Sequence, residues 1–187
     1  FAHFPGLVVV APGTPADAKG MLKSALRTKN PVLFIEHATL YQTRGEVPEG
    51  DYVVPLGKST VQRPGSDVTI VTYSKMLEIS LKAADQLAKE GIEAEIVDLR
   101  SLRPLDMGPV IESFKKTNRA VIVEEGWPSY GVGAEVSARI YEQAFDYVDA
   151  PIKRVAQAEV PLPYNRTLEQ MAIPKVDDVI KAVKEVL

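Results

Sequence analysis

The 187-residue chain is 45% hydrophobic and 25% charged, which provides a substantial core for one or two domains. A formal net charge of −3 gives no electrostatic case for a nucleic-acid partner, and the absence of cysteine excludes a disulfide scaffold and thiolate metal sites. No apolar run approaches the length of a bilayer-spanning helix, so neither nucleic acid nor membrane is expected as a partner.

The chain opens Phe1-Ala2-His3-Phe4-Pro5-Gly6, which puts one of its two histidines in a loop that feeds the apolar run Leu7 to Val10. Connections of this kind are where chemistry is commonly placed. The run predicts a strand buried on both faces. Thr14 and Pro15 then predict an N-cap and first helical residue, and Ala18, Met21, Leu22, Ala25 and Leu26 form one apolar stripe at helical spacing. A second strand is predicted over Val32 to Glu36, completing a strand-helix-strand unit with a right-handed parallel crossover. His37 follows it and reads as a packing or hydrogen-bonding residue at a strand end. Two strands and a helix bury too little to stand alone, so residues 1–40 are expected to be the end of a larger domain.

Residues 41–66 are polar and rich in breakers, and they predict a linker. The alternation restarts at Val68: strand Val68 to Thr72, helix Lys75 to Glu90, strand Ala94 to Leu99, a helix near Met107 to Lys116 and strand Ala120 to Glu124. A helix over Val132 to Ala144, a strand over Ile152 to Ala156, a long loop and a terminal helix over Val176 to Val186 complete the series. Residues 67–187 thus predict a small doubly wound α/β domain.

Chemistry-bearing motifs are scarce. Gly131-Val132-Gly133-Ala134-Glu135-Val136 begins like a dinucleotide fingerprint, but its sixth position is valine and no strand directly precedes it. A tight turn opening a helix is the simpler expectation. No phosphate loop, His-Glu-x-x-His or Gly-x-Ser-x-Gly is present, and two distant histidines without cysteine do not predict a transition-metal site.

Several ordered motifs, taken together, are more specific than any one of them. The opening run through "NPVLFIEH", then "VDLRSLRPLD", "VIVEEGWPSYGVGAEV", "FDYVDAP" and "VPLPY" resemble the beta subunit of the pyruvate dehydrogenase component of the 2-oxo-acid dehydrogenase complexes. The resemblance covers essentially the whole chain. It implies the C-terminal remnant of a transketolase pyrimidine-binding domain over 1–40, a linker over 41–66 and a transketolase C-terminal domain over 67–187. It also implies thiamine diphosphate as cofactor, pyruvate and a lipoyl group as substrates, and a bacterial cytoplasm or mitochondrial matrix as location. Branched-chain 2-oxo-acid and acetoin dehydrogenases, a transketolase or deoxyxylulose-phosphate synthase, and a non-catalytic α/β assembly module are the alternatives.

Site residues follow from the same resemblance. His3 maps to the family's histidine near the thiazolium end of the cofactor, where it assists intermediates and acyl transfer. The glutamate that contacts the aminopyrimidine lies upstream of the His-x-Pro-Gly motif, and the diphosphate and magnesium ligands belong to the alpha subunit, so this chain alone is expected to be inactive and not to bind the cofactor. A potassium site maps to Ala25, Leu26, Thr28 and Asn30. Thr28 stands where many members carry aspartate. Asp149 and the Leu187 carboxylate map to the surface where two beta subunits meet and a basic subunit-binding domain of the dihydrolipoamide acetyltransferase docks.

Overall fold

Short β-branched runs build two sheets, and amphipathic helices cover them. The computed structural model describes residues 1–187. In the first layer β1 (Val8–Val10) pairs in parallel with β2 (Val32–Phe34), Val9 opposite Leu33, and α1 (Pro15–Arg27) makes the crossover. Thr14 caps α1 as its composition predicts, its hydroxyl accepting the Asp17 N–H at 3.1 Å.

The second layer holds β3 (Thr60–Arg63), β4 (Val68–Thr72) and, after α2 (Lys75–Ala88), β5 (Ala94–Asp98). Past the short strand β6 (Ser101–Arg103) come α3 (Gly108–Thr117), β7 (Ala120–Val123), α4 (Val132–Ala144), β8 (Lys153–Val155), α5 (Arg166–Ala172) and α6 (Val176–Lys184). Five strands form one sheet in the order β3-β5-β4-β7-β8, all parallel except the antiparallel edge β3. Helices α2 and α6 pack one face, where Met76, Leu77, Leu87, Val179 and Val183 meet Val68, Ile70 and Ile96. Helices α3 and α4 cover the other, where Phe114, Val136 and Ile140 meet Val71, Val97 and Ile122. Because both faces are covered, β4 is buried along its whole length, which is why its sequence is nearly continuous in apolar and β-branched residues. This is the doubly wound α/β architecture.

Three elements lie where the sequence reading placed none. β3 falls in the segment expected to be linker, α5 in the expected long loop, and β6 directly after β5. β6 changes sheets: it pairs antiparallel with β1, Val9 opposite Arg103 and Val10 opposite Ser101. The non-glycine Arg100 makes that switch by taking a left-handed backbone, φ 55°. Residues 48–54 run as a strap along α1. The Ser24 hydroxyl donates to Val54 O at 2.6 Å, and Lys23 and Arg27 both reach Asp51, at 3.1 and 2.5 Å. Gly20 permits the crossing, since a Cβ there would lie 2.6 Å from Val54 Cγ2. Val10, Met21 and Val54 form the small core that results. The first layer is thus closed by the strap on one side and β6 on the other.

Candidate functional site

His3 lies in the turn ahead of β1, exposed, with its ring tilted against that of Phe4 at a centroid distance of 4.1 Å. The potassium candidates flank the N-terminal end of β2. Ala25 and Leu26 belong to the last turn of α1, Thr28 is its C-cap and donates its N–H to Ser24 O at 3.2 Å, and the Thr28 hydroxyl accepts the Asn30 N–H at 3.3 Å. Val8 N–H donates to Pro31 O at 3.0 Å, so the N-terminal ends of β1 and β2 are adjacent. The fold therefore brings His3 and the Ala25–Asn30 turn to one end of the first sheet.

His37 falls at the opposite end. Its Nε2 lies 3.0 Å from Glu125 Oε1, and its Nδ1 is 3.3 Å from the Thr39 N–H and 2.9 Å from the Thr39 hydroxyl. The accepted Thr39 N–H fixes the tautomer with hydrogen on Nε2, which donates to Glu125. His37 follows β2 and Glu125 follows β7, so this contact joins the C-terminal ends of one strand from each sheet. Beside it a cleft of about 260 Å³ is lined by Pro12, Thr14, Pro15, Glu36, His37 and Tyr41. The Tyr41 hydroxyl donates to Glu36 Oε2 at 3.0 Å, and that carboxylate raises the pKa of the phenol.

Glu124, next in sequence to Glu125, points into the fold. It is fully buried, with Oε1 accepting the Gly133 N–H at 3.1 Å and Oε2 accepting the Tyr73 hydroxyl at 3.4 Å. Burial raises its pKa, opposed by the Gly133 N–H and the Tyr73 hydroxyl. Burial and the two neighbouring carboxylates push the Tyr73 phenol above its ordinary range. The carboxylate occupies the N-terminus of α4, the place a bound phosphate would take in a dinucleotide fold. A Cβ on Gly133 would lie 2.5 Å from Glu124 Oε1. The Gly-x-Gly of this segment makes room for the chain's own carboxylate, so it is the turn that opens a helix and not a nucleotide cradle. Glu124 and Glu125 are functional candidates that the glycine pattern alone does not reveal; their position directly after an apolar strand is the available signal.

Asp149 follows a short 3₁₀ turn at Phe145–Tyr147. Its N–H donates to Asn118 O at 3.2 Å, and its half-exposed carboxylate lies 4.0 Å from Arg119. Leu187 is also half-exposed. Two residues before it Glu185 grips Lys153, the first residue of β8, at 2.8 Å. Asp149 and Leu187 therefore fall on the β8 side of the second sheet, away from the layer that carries His3.

A thiamine diphosphate site needs a charged or metal-bridged cradle for two phosphates. The chain holds no group of three His, Asp or Glu side chains able to take a metal ion, and the turn that carries His3 offers one exposed imidazole between phenylalanines. These residues do not by themselves fit the cofactor.

Residues 57–179 match the family model described as the transketolase C-terminal domain, and residues 1–44 match that of the transketolase pyrimidine-binding domain. The chain belongs to the transketolase family. Within it, the similarity is to pyruvate dehydrogenase E1 component beta subunits: 50% identity to that of Rhizobium meliloti over 100% of this chain and 41% of the relative. The mitochondrial beta subunit of Drosophila melanogaster is 50% identical over 100% of this chain and 53% of its own length, and the mitochondrial beta-2 subunit of Oryza sativa subsp. japonica 47% over 98% and 50%. The chain spans about half the length of the curated relatives it matches. A solved split gene transketolase, described as an inactive beta4 tetramer, superposes with a TM-score of 0.81 at 28% identity, covering 100% of this chain and 59% of that one.

Proposed function

We propose that this chain is part of the beta subunit of a thiamine-diphosphate-dependent pyruvate dehydrogenase, which oxidatively decarboxylates pyruvate and acetylates the lipoyl group of the acyltransferase. The single observation that carries this reading is identity near 50% along the entire chain to relatives bearing that name. In this reading the alpha subunit supplies the diphosphate and magnesium ligands, a second beta subunit completes the assembly, and the location is the bacterial cytoplasm or the mitochondrial matrix.

His3 is the catalytic residue of the proposal. An imidazole titrates near neutrality and can donate to a developing oxyanion or exchange a proton with a lipoyl sulfur. Its exposed place at a sheet end suits a group that must meet a substrate delivered by another chain. The carbonyls of Ala25 and Leu26, with Thr28 and Asn30, are the proposed potassium ligands; unsatisfied helix-end carbonyls suit a weakly hydrated cation. Asp149 and the Leu187 carboxylate are proposed to receive the basic subunit-binding domain of the acetyltransferase, where acidic groups steer encounter and form charge-assisted bonds.

The test is reconstitution of the full-length subunit with its alpha partner and measurement of lipoyl-domain acylation with pyruvate, 3-methyl-2-oxobutanoate and acetoin. Preferential turnover of pyruvate is expected. Preference for either other substrate overturns the pyruvate assignment, and an assembled tetramer inert toward all three overturns the enzymatic reading.

A further inference from the structure

The connection from β5 to β6 carries the chain from one sheet to the other, and an unusual set of charges is buried there. Asp98 is fully buried and Asp17 of α1 is 1% exposed. Arg100 serves both carboxylates, Asp17 through its guanidinium and Asp98 through its backbone N–H. Arg100 NH2 lies 2.8 Å from Asp17 Oδ1 as a charge contact, while the Arg100 backbone N–H donates to Asp98 Oδ1 at 3.0 Å. Asp17 Oδ2 accepts the Thr14 hydroxyl at 2.7 Å. Asp98 Oδ2 has no hydrogen-bond partner.

Charge counting decides which carboxylate is neutral. Two ionised carboxylates beside a single guanidinium would leave one buried negative charge uncompensated, a costly arrangement that proton uptake removes. Asp17 has the counter-ion and a hydroxyl donor, so Asp98 is the one to hold the proton. The groups that face Asp98 are Asp17 from α1, Arg100 from the sheet crossing and Gln62 from β3; Thr72, its register partner on β4, adds no charge. Both layers meet at Arg100, whose carbonyl accepts the Ala11 N–H at 2.8 Å beyond the end of β1.

We propose that Asp17, Arg100 and Asp98 form a proton-operated latch between the two sheets, tightest while Asp98 carries a proton. Burial raises the Asp98 pKa to about 7 and Asp17 adds to it, against the Arg100 N–H, which lowers it. A carboxyl whose folded-state pKa is raised binds more protons docked than undocked. Its contribution is therefore full below the ordinary value of 3.8 and is lost as pH rises to about 7, beyond which it no longer changes.

The experiment is hydrogen exchange on the full-length protein from pH 5 to 8, reading the protection factor of the Ala11 amide, which is corrected for the chemical exchange rate. Protection is expected to fall by roughly tenfold per pH unit up to neutrality and then level, as release of one proton requires. Asp98→Asn, a neutral isostere of the protonated acid, should abolish that slope while the protein stays folded. Asp17→Asn frees Arg100 to pair with Asp98 and should move the levelling point to lower pH. A flat wild-type profile, or an Asp98→Asn profile with the wild-type slope, overturns the latch; so does an Asp17→Asn levelling point that stays near neutrality.

Discussion

His37 Nε2 donates to Glu125 Oε1 across 3.0 Å of space and 88 positions of sequence, which ties the end of β2 to the end of β7. Each side chain is about three-quarters shielded. A pair of this kind stabilises through geometry more than through raw charge, because both partners enter the bond from fixed strand ends. In a cycle of His37→Ala, Glu125→Ala and the double variant, urea unfolding should give a coupling of about 0.5–1 kcal/mol. Coupling indistinguishable from zero would show that the contact is incidental to the docking of the layers.

Filling the space above Glu124 should be costly. Gly133→Ala places a methyl group 2.5 Å from Glu124 Oε1 and 3.2 Å from Ile122 Cγ2, and overpacking of this sort costs about 1–3 kcal/mol. Glu124→Ala leaves the Gly133 N–H without its acceptor, at about 1–3 kcal/mol. The double variant should lose less than the sum, since the smaller residue relieves the clash. Chemical denaturation of the three proteins checks this, and strict additivity would contradict the geometry.

The strap over α1 should detach in acid. The hydrogen bond from Arg27, then that from Lys23, holds the Asp51 pKa below its ordinary 3.8. A depressed carboxyl contributes fully above the unfolded value and loses that contribution as pH falls through the folded one, so the window lies below 3.8, opposite in sign to that of Asp98. Asp51→Asn should mimic acid at neutral pH, and salt should act in the same direction because the site is exposed. Limited proteolysis within 43–51 is the readout, with cleavage several times faster in the variant. Equal cleavage rates would mean that the hydrogen bonds from Ser24 to Val54 O and from Lys19 to Pro48 O hold the strap unaided.

In the reconstituted full-length enzyme, His3→Ala is expected to lower lipoyl acylation by about a hundredfold, the scale of losing a proton-transfer group. Assembly should be unaffected, because the imidazole is exposed with its ring against Phe4. Unchanged kinetics would remove His3 from the reaction.

Elements with sustained periodicity were legible in the sequence: α2, α3, α4 and α6 and strands β4, β5 and β7 fall within two residues of their predicted limits. β6 was not, because Ser101-Leu102-Arg103 is short and the change of sheet depends on Arg100 taking a backbone conformation usually associated with glycine. α5 escaped because it is only seven residues long, and Leu168, Met171 and Ala172 make too short a period to announce a helix. At the site, His3 stood out by its place in a loop ahead of an apolar strand, but its role, like those of the Ala25–Asn30 turn and Asp149, was suggested by resemblance alone. The His37–Glu125 contact and the Asp17–Arg100–Asp98 cluster needed coordinates, since nothing in the local sequence announces which distant charge a side chain will meet.

The pairing of Val9 with Arg103 also fixes an order of events on the ribosome. β1 emerges with β2 close behind, but its other edge has no partner within this chain until β6 has cleared the exit tunnel. At about 5–20 residues per second, the intervening stretch takes on the order of 5–20 s to synthesise. Through that interval an apolar strand of three valines presents open backbone groups, the exposed edge that invites pairing with a neighbouring nascent chain. Codon choice or chaperone occupancy between Val10 and Ser101 should therefore govern yield more strongly than the same changes placed after Arg103.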